Sequence, residues 1–149
     1  MGKNNFSQDY VERDISWMYF NHRILQEAEK KSIPLLERLS FLGIYSNNLD
    51  EFFRVRVALL NRIAEYNDKD ARTDRQCAIQ TLKTINKLNT QYAKEYEATI
   101  QQVENDLEKE NIYILKDTQL DEMQKTFVRN YYYHKLDGFI APVWFSAVK

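Results

Sequence analysis

Between Thr73 and Glu110 the chain has no proline or glycine, and apolar residues step through it by three or four. They are Ile79, Leu82, Ile85, Leu88 (with Asn89 beside it), Tyr92, Tyr96, Ile100, Val103 and Leu107. Side chains at that period share one side of an α-helix, and here the stripe lasts about eight turns. Its narrowness resembles a coiled-coil seam. A helix this long cannot cover its own stripe, so the rest of the chain has to pack along it.

The residues before it supply the cover. From Ser16 to Lys31 the apolar residues Trp17, Phe20, Ile24, Leu25 and Ala28 keep helical spacing, with Asp14 or Ser16 available as a cap. A break falls at Lys31-Ser32-Ile33, and Pro34 suits the first turn of the next helix. Leu35, Leu36, Leu39, Phe41, Leu42 and Ile44 make that helix apolar over a broad face, which predicts a central position. Leu49, Phe52, Phe53, Val55, Val57, Leu59, Leu60 and Ile63 carry a third helix to about Tyr66, and the charged stretch Asn67 to Asp74 reads as an exposed loop. The expectation for residues 1–110 is a mainly α, antiparallel helical bundle with one long helix.

At Asn111 the character changes. Asn111-Ile112-Tyr113-Ile114-Leu115 is β-branched and aromatic, and reads as a strand. Asp121 and Gln124 form a capping box for a helix carrying Met123, Phe127, Val128 and Tyr131 to about Lys135. Asp137-Gly138 reads as a turn or helix end, and Ile140 to Phe145 as extended. Residues 111–149 thus read as the beginning of an α/β domain, with the chain expected to be a piece of a longer protein.

Composition excludes several classes. A formal net charge of −1 gives no drive toward nucleic acid or an anionic membrane, and no peripheral membrane association is written in the sequence. A single cysteine, Cys77, rules out an internal disulfide and a cysteine-cluster metal site; on a helix it reads as a small apolar filler. No apolar run approaches the roughly 18–20 residues that cross a bilayer, and Met1 to Gln8 lack the apolar centre of a secretory signal. The expected location is the cytoplasm.

Chemistry-bearing motifs are equally sparse. The glycines stand at positions 2, 43 and 138, so no phosphate loop or nucleophile elbow exists. His22 and His134 lack spaced partners and read as surface or helix-face residues. The pairs Asp50/Glu51 and Asp121/Glu122 fall where helix starts favour negative charge. Trp17 and Phe20 read as core, and Tyr131-Tyr132-Tyr133 as part core and part rim. No residue here is expected to be catalytic or to bind metal.

One stretch holds more: Phe41-Leu42-Gly43-Ile44-Tyr45-Ser46-Asn47-Asn48-Leu49-Asp50-Glu51-Phe52-Phe53-Arg54-Val55-Arg56. Read locally it is a helix end, a break and a helix start, with Asn48 as N-cap and Glu51 closing a capping box. That explains one asparagine of two. A second carboxamide, offering a donor and an acceptor, suits the edge of a purine base. Arg54 and Arg56 lie two apart and do not share a helix face, so one could meet phosphate and the other a carboxylate.

This stretch resembles the N-terminal hallmark of the bacterial polyphosphate kinases of the first family. Ser16-Trp17, Phe20-Asn21, Leu25-Gln26-Glu27-Ala28, Pro34-Leu35 and Glu37-Arg38 resemble the same family upstream. The likeness is densest from about Arg13 to Arg56. It implies an enzyme that reversibly transfers the terminal phosphate of ATP to polyphosphate through a phosphohistidine, with Mg2+ neutralising the phosphates. By that resemblance Asn48 binds ATP, while the phosphohistidine, the Mg2+ and the phosphate-holding arginines lie in C-terminal domains outside these residues. This segment alone would then be inactive, and the full-length protein a homo-oligomer acting on ATP, ADP and polyphosphate. Composition and periodicity without the resemblance suit a helical adaptor that binds partners through the long helix.

Overall fold

The computed structural model describes residues 11–66 and 72–143, so part of the expected loop at 67–74 and the end of the extended stretch at 140–145 lie outside the described residues. The chain divides into two units, Met1–Ile112 and Tyr113–Lys149.

In the first unit, α1 (Arg13–Glu29) begins at Glu12 rather than at Asp14 or Ser16. The Glu12 carboxylate accepts from the backbone N–H groups of Asp14 (2.8 Å) and Ile15 (3.0 Å), which would otherwise lack partners at a helix start. Asp14 and Ser16 therefore do not cap. A short link follows, and Pro34 occupies the cap position before α2 (Leu35–Phe52).

The expected break between Gly43 and Leu49 does not form. α2 passes straight through it, continues as a π-helical turn at Phe53–Val57 and becomes α3 (Ala58–Glu65). A glycine inside a helix costs about 1 kcal/mol against alanine. Burial of Leu42 before the expected break, Tyr45 within it and Phe52 beyond it outweighs that cost. Asn48 is consequently mid-helix, where the backbone N–H groups it was expected to cap are bonded within the helix.

The long helix α4 (Arg72–Lys109) forms as the stripe predicts, over 38 residues. It ends at Asn111, whose φ of 61° is left-handed, with the Ile112 N–H donating to the Leu107 carbonyl at 2.9 Å. That wrap-around satisfies the last carbonyls of the helix. Asn111 is thus a helix stop and not the first residue of a strand.

Pairings across the helices fix their directions. Asp14 meets Arg56, Asn21 meets Asn48 and the Arg38 Nε donates to the Ala28 carbonyl, so α1 and the α2–α3 rod run antiparallel. Arg75 donates to the Ala64 carbonyl and Arg38 to Asp106, so α4 runs back along the rod. The core inside holds Met18, Leu25 and Ala28 of α1, Leu42, Tyr45 and Phe52 of α2, Val57 of the π turn, and Ile85, Tyr92, Val103 and Leu107 of α4. Ile79, expected in the stripe, is 39% exposed and outside the core, and Cys77 is exposed too and fills no core space. The stripe that an adaptor would offer to partners is spent on this core.

Polar groups tie the bundle near its middle and at one end. His22 stacks on Tyr92 (3.9 Å between ring centroids) and shares a 2.5 Å hydrogen bond with Glu95. The Gln91 amide and then His22 hold the Glu95 carboxyl below its ordinary range. At the end where α4 stops, Lys109, Gln102 and Arg38 together hold Asp106 down at about 2.

The second unit carries a 3-10 turn (Asp117–Gln119), α5 (Glu122–Tyr131), a π-helical turn (Tyr132–Leu136) and a second 3-10 turn (Asp137–Phe139). The capping box at Asp121 forms as expected: its side chain accepts from the Gln124 N–H at 2.8 Å, and Gln124 returns the bond at 2.9 Å. No strand occurs among the described residues; Ile112 to Leu115 are irregular and exposed. An extended segment becomes a strand only by pairing its backbone with a neighbour, and none of the described residues offers that edge.

Candidate functional site

Asn48 of the hallmark stretch lies beside a concavity of about 350 Å3 wholly within the first unit. Trp17 and Phe20 of α1, Asn48, Glu51 and Phe52 of α2, and Val55 and Arg56 of the π turn line it. Trp17 stacks flat on Phe52, 4.1 Å between centroids and 2° between planes, and this pair anchors the floor in the core. Phe20 was expected inside the core; it is 60% exposed and forms a wall of the concavity instead.

Neither asparagine caps a helix. Asn47 is exposed and Asn48 is half-buried at the concavity. The Asn48 amide nitrogen donates to the Asn21 side-chain oxygen (3.2 Å), and the Asn21 nitrogen donates to the Tyr45 carbonyl (3.2 Å). Asn21 is only 1% exposed. A polar signal for it exists in the sequence: Met18, Asn21, Leu25 and Ala28 step through α1 at helical spacing, and all four are buried. One asparagine in an apolar register marks a side chain whose bonds must be met inside.

The two arginines part company as their spacing predicts. Arg54 pairs with Asp50 one turn back on the exposed side (3.0 Å). Arg56 reaches 42 positions back along the chain and grips both oxygens of buried Asp14 at 2.8 and 2.9 Å. Burial, and then the Glu12 carboxylate, push the Asp14 carboxyl up from its ordinary range. The neighbouring Arg13 opposes that push, and Arg56 meets the carboxyl group with two parallel hydrogen bonds, the strong geometry for such a pair. The pair pins the start of α1 to the π turn, and so sets the distance between the walls of the concavity.

Chemically, the concavity offers an apolar edge, a carboxamide, a carboxylate and part of a guanidinium. It can bind and orient; it holds no nucleophile beside a base. Of the two histidines, His22 is engaged with Tyr92 and Glu95, and His134 belongs to the second unit. No cluster of three or more metal-ligating side chains occurs among the described residues. Among the same residues, no helix is long and apolar enough to cross a membrane.

The family model of the polyphosphate kinase N-terminal domain matches residues 10–115. The chain belongs to this family. It is 35% identical to a polyphosphate kinase of Yersinia pestis over 137 residues, 36% identical to one of Vibrio cholerae over 140, and 34% identical to one of Escherichia coli over 137. Each alignment covers 90% of this chain and 19% of the relative, so the chain spans about a fifth of the length of the curated relatives it matches. No solved structure matches it. The polyphosphate kinase N-terminal domain match takes in α1 through α4 and every residue that lines the concavity.

Proposed function

We propose that this chain is the N-terminal part of a polyphosphate kinase that reversibly transfers the terminal phosphate of ATP to polyphosphate, and that the concavity at Asn48 is a wall of its adenine-nucleotide site. One observation carries the site: Asn48, freed from the capping role that would have explained it, faces a concavity walled by aromatic side chains. An apolar wall can cover the face of a base while a carboxamide meets its edge. By this reading the phosphohistidine and the Mg2+ site lie outside the chain, and no group of residues described in it fits Mg2+. Phosphoryl transfer relies chiefly on positioning and charge stabilisation; this unit supplies the positioning of the adenine end. ADP, polyphosphate and a second subunit belong to the same proposal.

Asn48→Ala in the full-length protein tests it. Losing one hydrogen bond to the base is expected to raise the KM for ATP about fivefold with kcat little changed. The melting temperature should fall by only a few degrees, because the Asn21 contact is lost as well. An unchanged dependence on ATP removes Asn48 from the nucleotide site.

A further inference from the structure

We infer that Asn21 is a positioning residue: it sets the hydrogen-bonding polarity of Asn48, so that the concavity presents an acceptor and selects a base carrying an exocyclic amino group. This rests on the reading of Asn48 as a nucleotide contact and adds which atom makes the contact and what holds it there.

The direction of the relay follows from its inner end. The Tyr45 carbonyl can only accept, so the Asn21 atom against it is the amide nitrogen. Asn21 then turns its oxygen toward Asn48, and an oxygen can only accept, so the Asn48 atom facing it is again nitrogen. With its nitrogen held inward, Asn48 has its oxygen left for the concavity it lines. Turning Asn48 over would set oxygen against oxygen. Turning Asn21 over would do the same against the Tyr45 carbonyl, at a site from which water is excluded. A backbone carbonyl of α2 thereby dictates the outward chemistry of a side chain one helical turn further on.

An outward acceptor demands a donor. The only N–H donors on adenine are those of its 6-amino group, so an adenine contact at Asn48 must be made by that group. A purine lacking it leaves the oxygen unpaired. Buried or half-buried sites built to pair a polar group discriminate against analogues that lack it.

The test compares ATP with purine riboside 5′-triphosphate, which differs only in lacking the 6-amino group, as substrates of the full-length enzyme. The wild type is expected to show a KM about fivefold lower for ATP, with similar kcat. Asn21→Ala should bring that ratio close to one by raising the KM for ATP alone, whereas a merely structural role would move both substrates together. Equal KM values in the wild type overturn the proposal, and so does an Asn21→Ala enzyme that keeps its preference. If Asn48→Ala leaves the KM for ATP unchanged, the nucleotide reading beneath the proposal has failed, a distinguishable result.

A second measurement needs no variant and no nucleotide. In NMR spectra of the 149-residue chain, the Asn48 side-chain amide protons should exchange with solvent more slowly than those of exposed Asn47. Equal exchange of the two overturns the relay.

Discussion

In the first unit Leu25, Ala28, Ile85 and Val103 have no exposed surface, whereas in the second Met123, Phe127 and Phe139 are 79, 70 and 90% exposed. Both units contain helices with apolar side chains at helical spacing. In the first, those side chains meet across three directions and lock a core. In the second, no described residue is buried, and α5 stands on its capping box and local pairs such as Lys125–Glu122. Local signals and core burial are separable sources of helix stability. The first unit draws mainly on burial, the second on local signals.

The contrast can be tested directly. The largest effect is expected from Leu25→Ala, which empties a fully buried position and should cost about 2–5 kcal/mol in urea unfolding of the first unit. A loss below about 1 kcal/mol would put its packing no tighter than that of the second unit.

Next comes Tyr45, whose hydroxyl is buried without a hydrogen-bond partner among the described residues. Burial, reinforced by Tyr92, Glu95 and Tyr96, pushes its ionisation up to about 12 from an ordinary 10.0. The folded state thus favours the neutral phenol. That preference is fully present below pH 10 and is lost between pH 10 and 12, where the unfolded chain ionises first. The associated loss should reach up to about 3 kcal/mol at the alkaline end. Melting temperatures between pH 9 and 12 measure it, and Tyr45→Phe should remove this part of the decline while costing little near neutrality. An identical decline in that variant would show that Tyr45 does not cause it.

The smallest effect concerns the second unit. Asp121→Ala removes a cap worth about 0.5–2 kcal/mol. Amide protection should drop across α5 while the urea midpoint of the first unit stays in place. A shift of that midpoint would mean that the two units do not unfold independently.

The sequence made the long helix legible because its period runs uninterrupted, and the Asp121–Gln124 box legible because both partners lie within four residues. It misled wherever a local signal competed with packing. Gly43 and the Asn48–Glu51 spacing look like a helix junction, yet burial on both sides carried the helix through. Asp14 looks like a cap, but Arg56 claims it from 42 positions away, a distance no local pattern spans. Asn111 to Leu115 have strand composition, and composition cannot supply a partner edge. At the candidate site, Asn48 was legible through its motif. For Asn21 only burial was legible, through its place in the apolar register of α1; its bonds to two residues of another helix were not.

The π turn at Phe53–Val57 works as a phase shift. Before it the buried residues Arg38, Leu42, Tyr45 and Phe52 keep helical intervals; across it the next buried residue is Val57, five positions on. A regular helix would turn each later side chain through about 100° for the one extra residue. The wide turn absorbs that residue, so Val57 keeps to the core side of the rod, with Leu60 packed against the core after it. Without it Arg56 would swing away from Asp14. A one-residue slip in the winding of the backbone is therefore what holds the mouth of the concavity at its present width.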